Sequence, residues 1–405
     1  MTPIASTTRV LVLSTYYHPV VGGVEAHARQ LVAYLHRRGF VVEVVTKRIG
    51  EHDAANGSVD GVRVHHVGPS GERSASGKWQ AIPAFLQTTR TLASRFDVIV
   101  CIDYRGIGIA AVVAGRLTGL PVIVQGETAA VLAGADSQST SGIAAESWIT
   151  RMLKAPARTI YRRADQVVCI GRDLEREALR AGVPRERVHY LPHGVDLRRF
   201  RPPVPQERDA LRAQFGWPVD RPIVLFVGRL SQEKGVMDLL EAWRVTNRGD
   251  AVLALVGPDM TGHPWDAGAA GRAYIDANGL RDHVRFEGPS SDPAPFYRAA
   301  DVFVQPSHFE ALGNTALEAM ASGLPVVTSG VGGLADFCVD GTNALFYEPR
   351  SSPSLARSLD RVLDDSALRA RLGAAARQTV TDRFELNGLL DQYARLILST
   401  LERTR

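Results

Sequence analysis

Lysine is nearly missing from this 405-residue chain: four of its 47 basic residues are lysines (Lys47, Lys78, Lys154 and Lys234), and only Lys234 lies beyond residue 205. Cysteine is scarce too. Cys101, Cys169 and Cys338 are widely spaced and odd in number, which excludes both a disulfide framework and a zinc pattern. No apolar run approaches the ~18 residues needed to span a bilayer. The opening stretch MTPIASTTRVLVLSTYY has one arginine, a short strand-like run and no small-residue cleavage site, so no signal peptide is read there. The expected compartment is the cytoplasm.

What remains is an ordinary globular composition, 45% hydrophobic and 22% charged, long enough for two domains of about 200 residues, each with its own core. The charge is split. Residues 1–205 carry 26 Lys+Arg against 17 Asp+Glu, a net +9, and the remainder carries 21 against 26, a net −5. The two halves therefore face different partners.

Apolar strand-like runs alternate with helical stretches through both halves. Arg9–Ser14 and Val41–Thr46 flank a helix over Val24–Arg38; Val98–Ile102 and Val122–Val124 flank another over Gly108–Thr118; Ala164–Ile170 and Val188–Leu191 add strands. Short connections between them predict a parallel, doubly wound α/β sheet. The Pro- and Arg-rich stretch Arg198–Arg208 reads as an interdomain linker, after which the same alternation restarts. A final helical run, Phe384–Leu401, carries an apolar stripe of Leu389, Leu390, Tyr393, Leu396 and Ile397 that another surface must cover.

The most informative segment is FEALGNTALEAMASGLPVV, Phe309 to Val327. It predicts a helix capped by Asn314 or Thr315, stopped at Gly323 and followed by a buried strand. Glu310 lies on the loop before it and Glu318 inside its first turns. Free N–H groups and the macrodipole make a helix start a phosphate site. Carboxylates beside such a site would repel the anion unless sugar hydroxyls occupied them, since one carboxylate accepts from two O–H donors at once. A diphosphate with a sugar on each side fits. Two unrelated glutamates on a solvated helix are the alternative. In LFVGRLSQEKGVMDLLEAW, Arg229 follows a strand and Lys234 precedes a helix, two cations suited to a diphosphate or, more blandly, to surface ion pairs. Gly22-Gly23, between the first strand and its helix, lets a backbone approach a ligand closely, though the spacing does not match a dinucleotide fingerprint. GVGGLAD, Gly330 to Asp336, supplies a further glycine loop.

Taken in order, GG-V-E near the start, PHGVD at 192–196, GRL-x3-KG at 228–235, E-x7-E at 310–318, EAMASGLPVV and GGLAD resemble the family 4 retaining glycosyltransferases of the GT-B fold over nearly the whole chain. The resemblance implies two Rossmann-like domains facing a central cleft. Residues 1–200 would bind the acceptor, 201–382 the nucleotide-sugar, and 383–405 would form a helix returning to the first domain. It assigns Arg229 and Lys234 to the diphosphate, Glu310 to the donor sugar hydroxyls and Glu318 to the ribose. The helix start at Leu312, Gly313 and Asn314 takes the phosphate, with Gly22 and Gly23 on the phosphate side of the cleft. Three positions depart from the pattern: Glu127 stands where the family often has His, His193 where Asn is usual, and Asp336 where Glu is commoner.

Breaking a sugar–diphosphate bond leaves negative charge on the departing phosphate, which Arg229, Lys234 and the helix start would stabilise. No Asp-x-Asp pair occurs to hold a divalent ion, so no metal or other cofactor is expected. Glu310 would position the sugar, and Glu127 is a candidate base. The implied reaction moves a hexose from a UDP-sugar or GDP-mannose to a sugar, lipid-linked or small-molecule acceptor. Arg151, Lys154, Arg158 and Arg162, at spacings of 3, 4 and 4, would share one helical face able to rest on an anionic membrane at the inner face of the plasma membrane. A solvated face is the alternative. No nucleic-acid partner is expected. A nucleotide-sugar epimerase of the same fold and a non-catalytic nucleotide-sugar-binding subunit remain the other readings.

Overall fold

A computed structural model describes residues 8–20, 22–50, 56–70, 80–103, 106–128 and 159–404. They divide into two units, one running to His193 and resuming at Asn387, the other comprising Gly194–Leu386. The division falls inside PHGVD. The Pro-rich stretch after it belongs to the second unit, where Arg201 pairs with Glu207 and Arg199 with Asp292.

The first unit is built on an eight-stranded sheet. Its strands are β1 (Arg9–Ser14), β2 (Val41–Lys47), β3 (Asn56–Val59), β4 (Val62–Val67), β5 (Val98–Ile102), β6 (Val122–Gly126), β7 (Gln166–Cys169) and β8 (Val188–Tyr190). Their order is β3-β4-β2-β1-β5-β6-β7-β8, and every pairing is parallel except β3 with β4. That hairpin is absent from the expected strands, although Asp60-Gly61, both at positive φ, form the two-residue turn that matches strand twist. Runs such as VIVCI in β5 are buried throughout because helices cover both faces of a parallel sheet.

Helix α1 (Gly23–Arg37) packs beside β1 and buries His27, Ala28, Leu31, Val32, Tyr34 and Leu35. The C-terminal helix α2 (Leu386–Thr404) brings its stripe into this unit: Leu390, Tyr393 and Ile397 are buried, Tyr34 donates to Asp391, and Arg38 pairs with Asp391 at 3.2 Å. The stripe is thus buried within the first unit.

The second unit has six parallel strands, β9 (Ile223–Val227), β10 (Val252–Val256), β11 (Val284–Gly288), β12 (Val302–Gln305), β13 (Val326–Thr328) and β14 (Leu345–Phe346), in the order β11-β10-β9-β12-β13-β14. Chain order therefore reverses between β9 and β12. At such a switch point the connecting helices leave on opposite faces and open a crevice outside the carboxyl ends of the strands.

Candidate functional site

Both motifs singled out in the second half converge on that crevice. After β9 the chain passes Arg229 and makes a 3-10 turn at Gln232–Lys234 before the helix Val236–Thr246. After β12 it runs through Pro306 and Ser307 to Glu310, then enters the helix Asn314–Ala321. Lys234 Nζ lies 2.6 Å from Glu310 Oε1. Gln305 Nε2 and Ser307 Oγ donate to the same oxygen at 2.5 and 2.8 Å, and Thr315 Oγ1 donates to Gln305 Oε1 at 3.1 Å. None of the three bonds to Glu310 reaches Oε2. Gln305, Ser307 and Thr315 were not among the expected site residues; a Gln directly before Pro at the end of an apolar strand was the available signal.

Backbone contacts fix the geometry of these loops. Gly235 has φ 68°, and a Cβ there would lie 2.0 Å from the Pro306 carbonyl oxygen, so only glycine lets the cation turn sit against the end of β12. Gly332 and Gly333 do the same for the acidic loop. A Cβ on either would fall within 2.3 Å of the carbonyl oxygens of Glu310 or Ala311, and Gly333 N donates to Glu310 O at 2.9 Å. His308 N donates to Glu233 O at 2.9 Å and its ring bonds Asp238 at 2.7 Å. Asp336 closes the Gly332–Asp336 turn, with Arg383 donating to its carbonyl oxygen at 3.0 Å.

The helix start differs from expectation. Neither Asn314 nor Thr315 caps it; the cap is Gly313, left-handed at φ 98°, with no side-chain bond. A side-chain cap would occupy the first-turn N–H groups, whereas a glycine cap leaves that end to a ligand's oxygens. Leu312 is buried behind the turn. Glu318 accepts from Tyr297 Oη at 2.9 Å. Desolvation pushes its carboxyl up to about 7, outweighing the Tyr297 hydrogen bond and the Arg199 charge, which pull it down; Asp292 adds a small rise. Arg229 stays half exposed, 3.7 Å from Glu233.

The remaining candidates belong to the first unit. Gly22 caps α1 in an extended conformation (φ 178°) open to any residue, and Gly23 is its first helical residue. Glu127 does not face outward. Its side chain is 1% exposed, and its Oε1 accepts from Gln125 Nε2 at 2.5 Å and meets His193 Nε2 at 3.1 Å. The His193 ring stacks on His27 of α1 with centroids 4.0 Å apart, and Tyr393 of α2 lies 6.4 Å from His27. Burial, reinforced by His193, holds His27 well below the usual imidazole range. Two departures from the family pattern, Glu127 and His193, are therefore bonded to each other. Arg151, Lys154 and Arg158 lie outside the described residues, and Arg162 sits in a turn before β7. Among the described residues, no helix is long and apolar enough to cross a membrane.

Comparison with known proteins agrees in both halves. Residues 207–379 match the family model described as glycosyl transferases group 1, and residues 22–194 match a glycosyl transferase 4-like domain. The D-inositol 3-phosphate glycosyltransferase of Xylanimonas cellulosilytica is 32% identical, over 95% of this chain and 96% of its own. The alpha-maltose-1-phosphate synthase of Mycolicibacterium smegmatis is 27% identical, over 95% and 97%. Among solved structures, sucrose-phosphate synthase from Thermosynechococcus elongatus superposes with a TM-score of 0.81 at 25% identity, covering 98% of this chain and all of that one. HepE of Anabaena, solved with UDP and glucose, gives 0.78 at 20% identity over 96% and 99%, a likeness of fold.

Proposed function

We propose that this chain, which belongs to the glycosyl transferases group 1 family, transfers a hexose from a nucleoside-diphosphate sugar to a hydroxyl acceptor, with retention of anomeric configuration and without a metal. One observation carries the reading. Lys234, Glu310 and a glycine-capped helix start meet at the switch point of the second sheet.

The charges there are arranged for a group that is anionic at one end and hydroxylated at the other. Lys234 and the first-turn N–H groups supply positive potential for a diphosphate, with half-exposed Arg229 beside them. Glu310 Oε1 is committed to Lys234, Gln305 and Ser307, which orients Oε2 as the acceptor for a donor-sugar hydroxyl. Glu318, inside the same helix, takes the ribose.

In the reaction the bond from the anomeric carbon to the diphosphate oxygen breaks and the acceptor oxygen bonds that carbon from the same face. The acceptor's proton passes to the departing phosphate. Cations preorganised at that oxygen lower the barrier because they need no rearrangement as charge develops. Glu127, shut inside the first unit against His193, supports that unit's loops in this reading and does not serve as the base. The proposed acceptor binds the first unit, whose basic surplus favours an acidic or lipid-linked molecule.

Screening UDP-, GDP- and ADP-sugars by thermal shift identifies the donor, since a ligand at 100 times its dissociation constant stabilises by about 2.7 kcal/mol. NMR of the product formed in excess chelator then tests the rest. Retention with full activity is expected; an inverted linkage, or activity restored only by magnesium or manganese, overturns it. Product formed without any acceptor would favour the epimerase.

A further inference from the structure

The loop Pro258–Ala267, which follows β10 and is bonded through its backbone to the cation turn, holds an indole in water. Trp265 is 44% exposed, the one aromatic among the large exposed hydrophobic residues described, while Trp217 and Trp243 of the same unit are 3% and 1% exposed. Leaving an indole in solvent forgoes the burial that makes tryptophan stabilising elsewhere, and this loop holds one free to meet a ligand.

The loop is held by side-chain hydrogen bonds. Asp259 takes a bidentate pair from Arg272, both bonds 3.0 Å, and Asp266 Oδ1 accepts from Met260 N and Gly268 N at 3.1 Å each. Its two legs grip the turn that carries Arg229 and Lys234. Leu230 N donates to Pro258 O and Gln232 N to Trp265 O, each at 2.9 Å, and Ala267 N donates to Leu230 O at 3.0 Å. Trp265 is therefore bonded through its own backbone to the residue two positions before Lys234. The His263 ring stands edge-on to the indole at 5.6 Å, and Trp265 N donates to His263 Nδ1 at 3.2 Å, fixing the side of the loop on which the pair lies.

We propose that Trp265 is the stacking platform for the nucleobase of the donor, and so a determinant of which nucleotide is accepted. The inference rests on the donor site proposed above. A nucleoside diphosphate is anionic at one end and a flat π-system at the other, and the unit offers a cation turn strapped to an aromatic face. Neither part alone selects a nucleotide over free diphosphate. Stacking on an aromatic ring is tolerant of base identity in itself, so the edge contacts around the indole would do the choosing.

Calorimetric titration of wild type, Trp265→Ala and Trp265→Phe with inorganic pyrophosphate, UDP, GDP and ADP tests this, with thermal melts confirming that the exposed substitution leaves the fold intact. Trp265→Ala should weaken the preferred nucleotide about tenfold or more and leave pyrophosphate within about twofold; Trp265→Phe should recover most of the loss. Lys234→Ala should weaken pyrophosphate and nucleotide alike. Unchanged nucleotide binding in Trp265→Ala, an equal loss for pyrophosphate, or UDP, GDP and ADP all binding wild type no tighter than pyrophosphate overturns the stack while the donor site stands. If wild type binds none of the four, the donor site falls and the stack with it.

Discussion

Glu310 and Lys234 hold each other in place, and substituting either one separates positioning from charge. Glu310→Gln preserves shape and the contacts to Oε1's neighbours but removes the negative charge, so turnover should fall about 10²- to 10³-fold with a smaller change in donor affinity. Lys234→Ala should lose both, and should also lower stability by about 1–3 kcal/mol, because it leaves the buried Glu310 carboxylate without its cation. Equal effects confined to KM would contradict these roles. Glu318 makes a prediction about pH. Its carboxyl is raised to about 7 in the folded chain, so between about 4.5 and 7 the unfolded chain gives up a proton that the folded one keeps, and stability falls as pH rises through that window. The full effect is at most about 3 kcal/mol. Glu318→Gln, still able to accept from Tyr297, should raise the melting temperature at pH 8 and leave it nearly unchanged at pH 4, while weakening donor binding. A variant equally stabilised at both values would show that desolvation of the charge is not the cause.

At the scale of elements, the site depends on glycines that let two loops touch. Gly235→Ala would place a methyl 2.0 Å from the Pro306 carbonyl in a left-handed backbone, and Gly313→Ala would place one 2.6 Å from Leu334 Cδ2. Each should cost about 2–4 kcal/mol, strain and overpacking together, and each should weaken nucleotide binding by moving Lys234 or the helix start. Melting curves and nucleotide titration of the pair check this; Gly279→Ala, in open space at φ 67°, is a control for backbone strain alone. The same elements show what the sequence made legible. The strand-helix alternation, the E-x7-E segment, the cation turn and the stop at Gly323 were readable because period, glycine and charge are local signals. The Glu127–His193 pair was not, since 66 residues separate partners that meet only through the order of β6, β7 and β8. Nor was the cap at Gly313, where Asn314 and Thr315 were the better local candidates and packing against Leu334 and Phe337 decided otherwise. The β3–β4 hairpin lay open in its Asp60-Gly61 turn but has short strands that alternate weakly.

At the scale of the whole molecule, the sign of charge divides where the proposed labour does. Counted over the two units of the fold, residues 1–193 with 387–405 carry +8 and residues 194–386 carry −4, so the proposed acceptor half attracts anions over a distance while the donor half relies on a few cations placed at one crevice. A lipid-linked acceptor at an anionic bilayer would use that attraction, with about 1 kcal/mol for each basic side chain brought near the surface. Arg151, Lys154, Arg158 and Arg162 form a basic run in that half at spacings of 3, 4 and 4. Such attraction is screened beyond about 8 Å at physiological ionic strength, so it must fade with salt. Co-sedimentation with vesicles of phosphatidylcholine containing phosphatidylserine should capture wild type at low salt and release it at high salt. Plain phosphatidylcholine vesicles should capture little at either. Changing the four basic residues together to Ser should abolish capture without lowering the melting temperature or nucleotide binding. If wild type ignores anionic vesicles at low salt, the acceptor is a soluble molecule, and the surplus of positive charge serves only to draw it in.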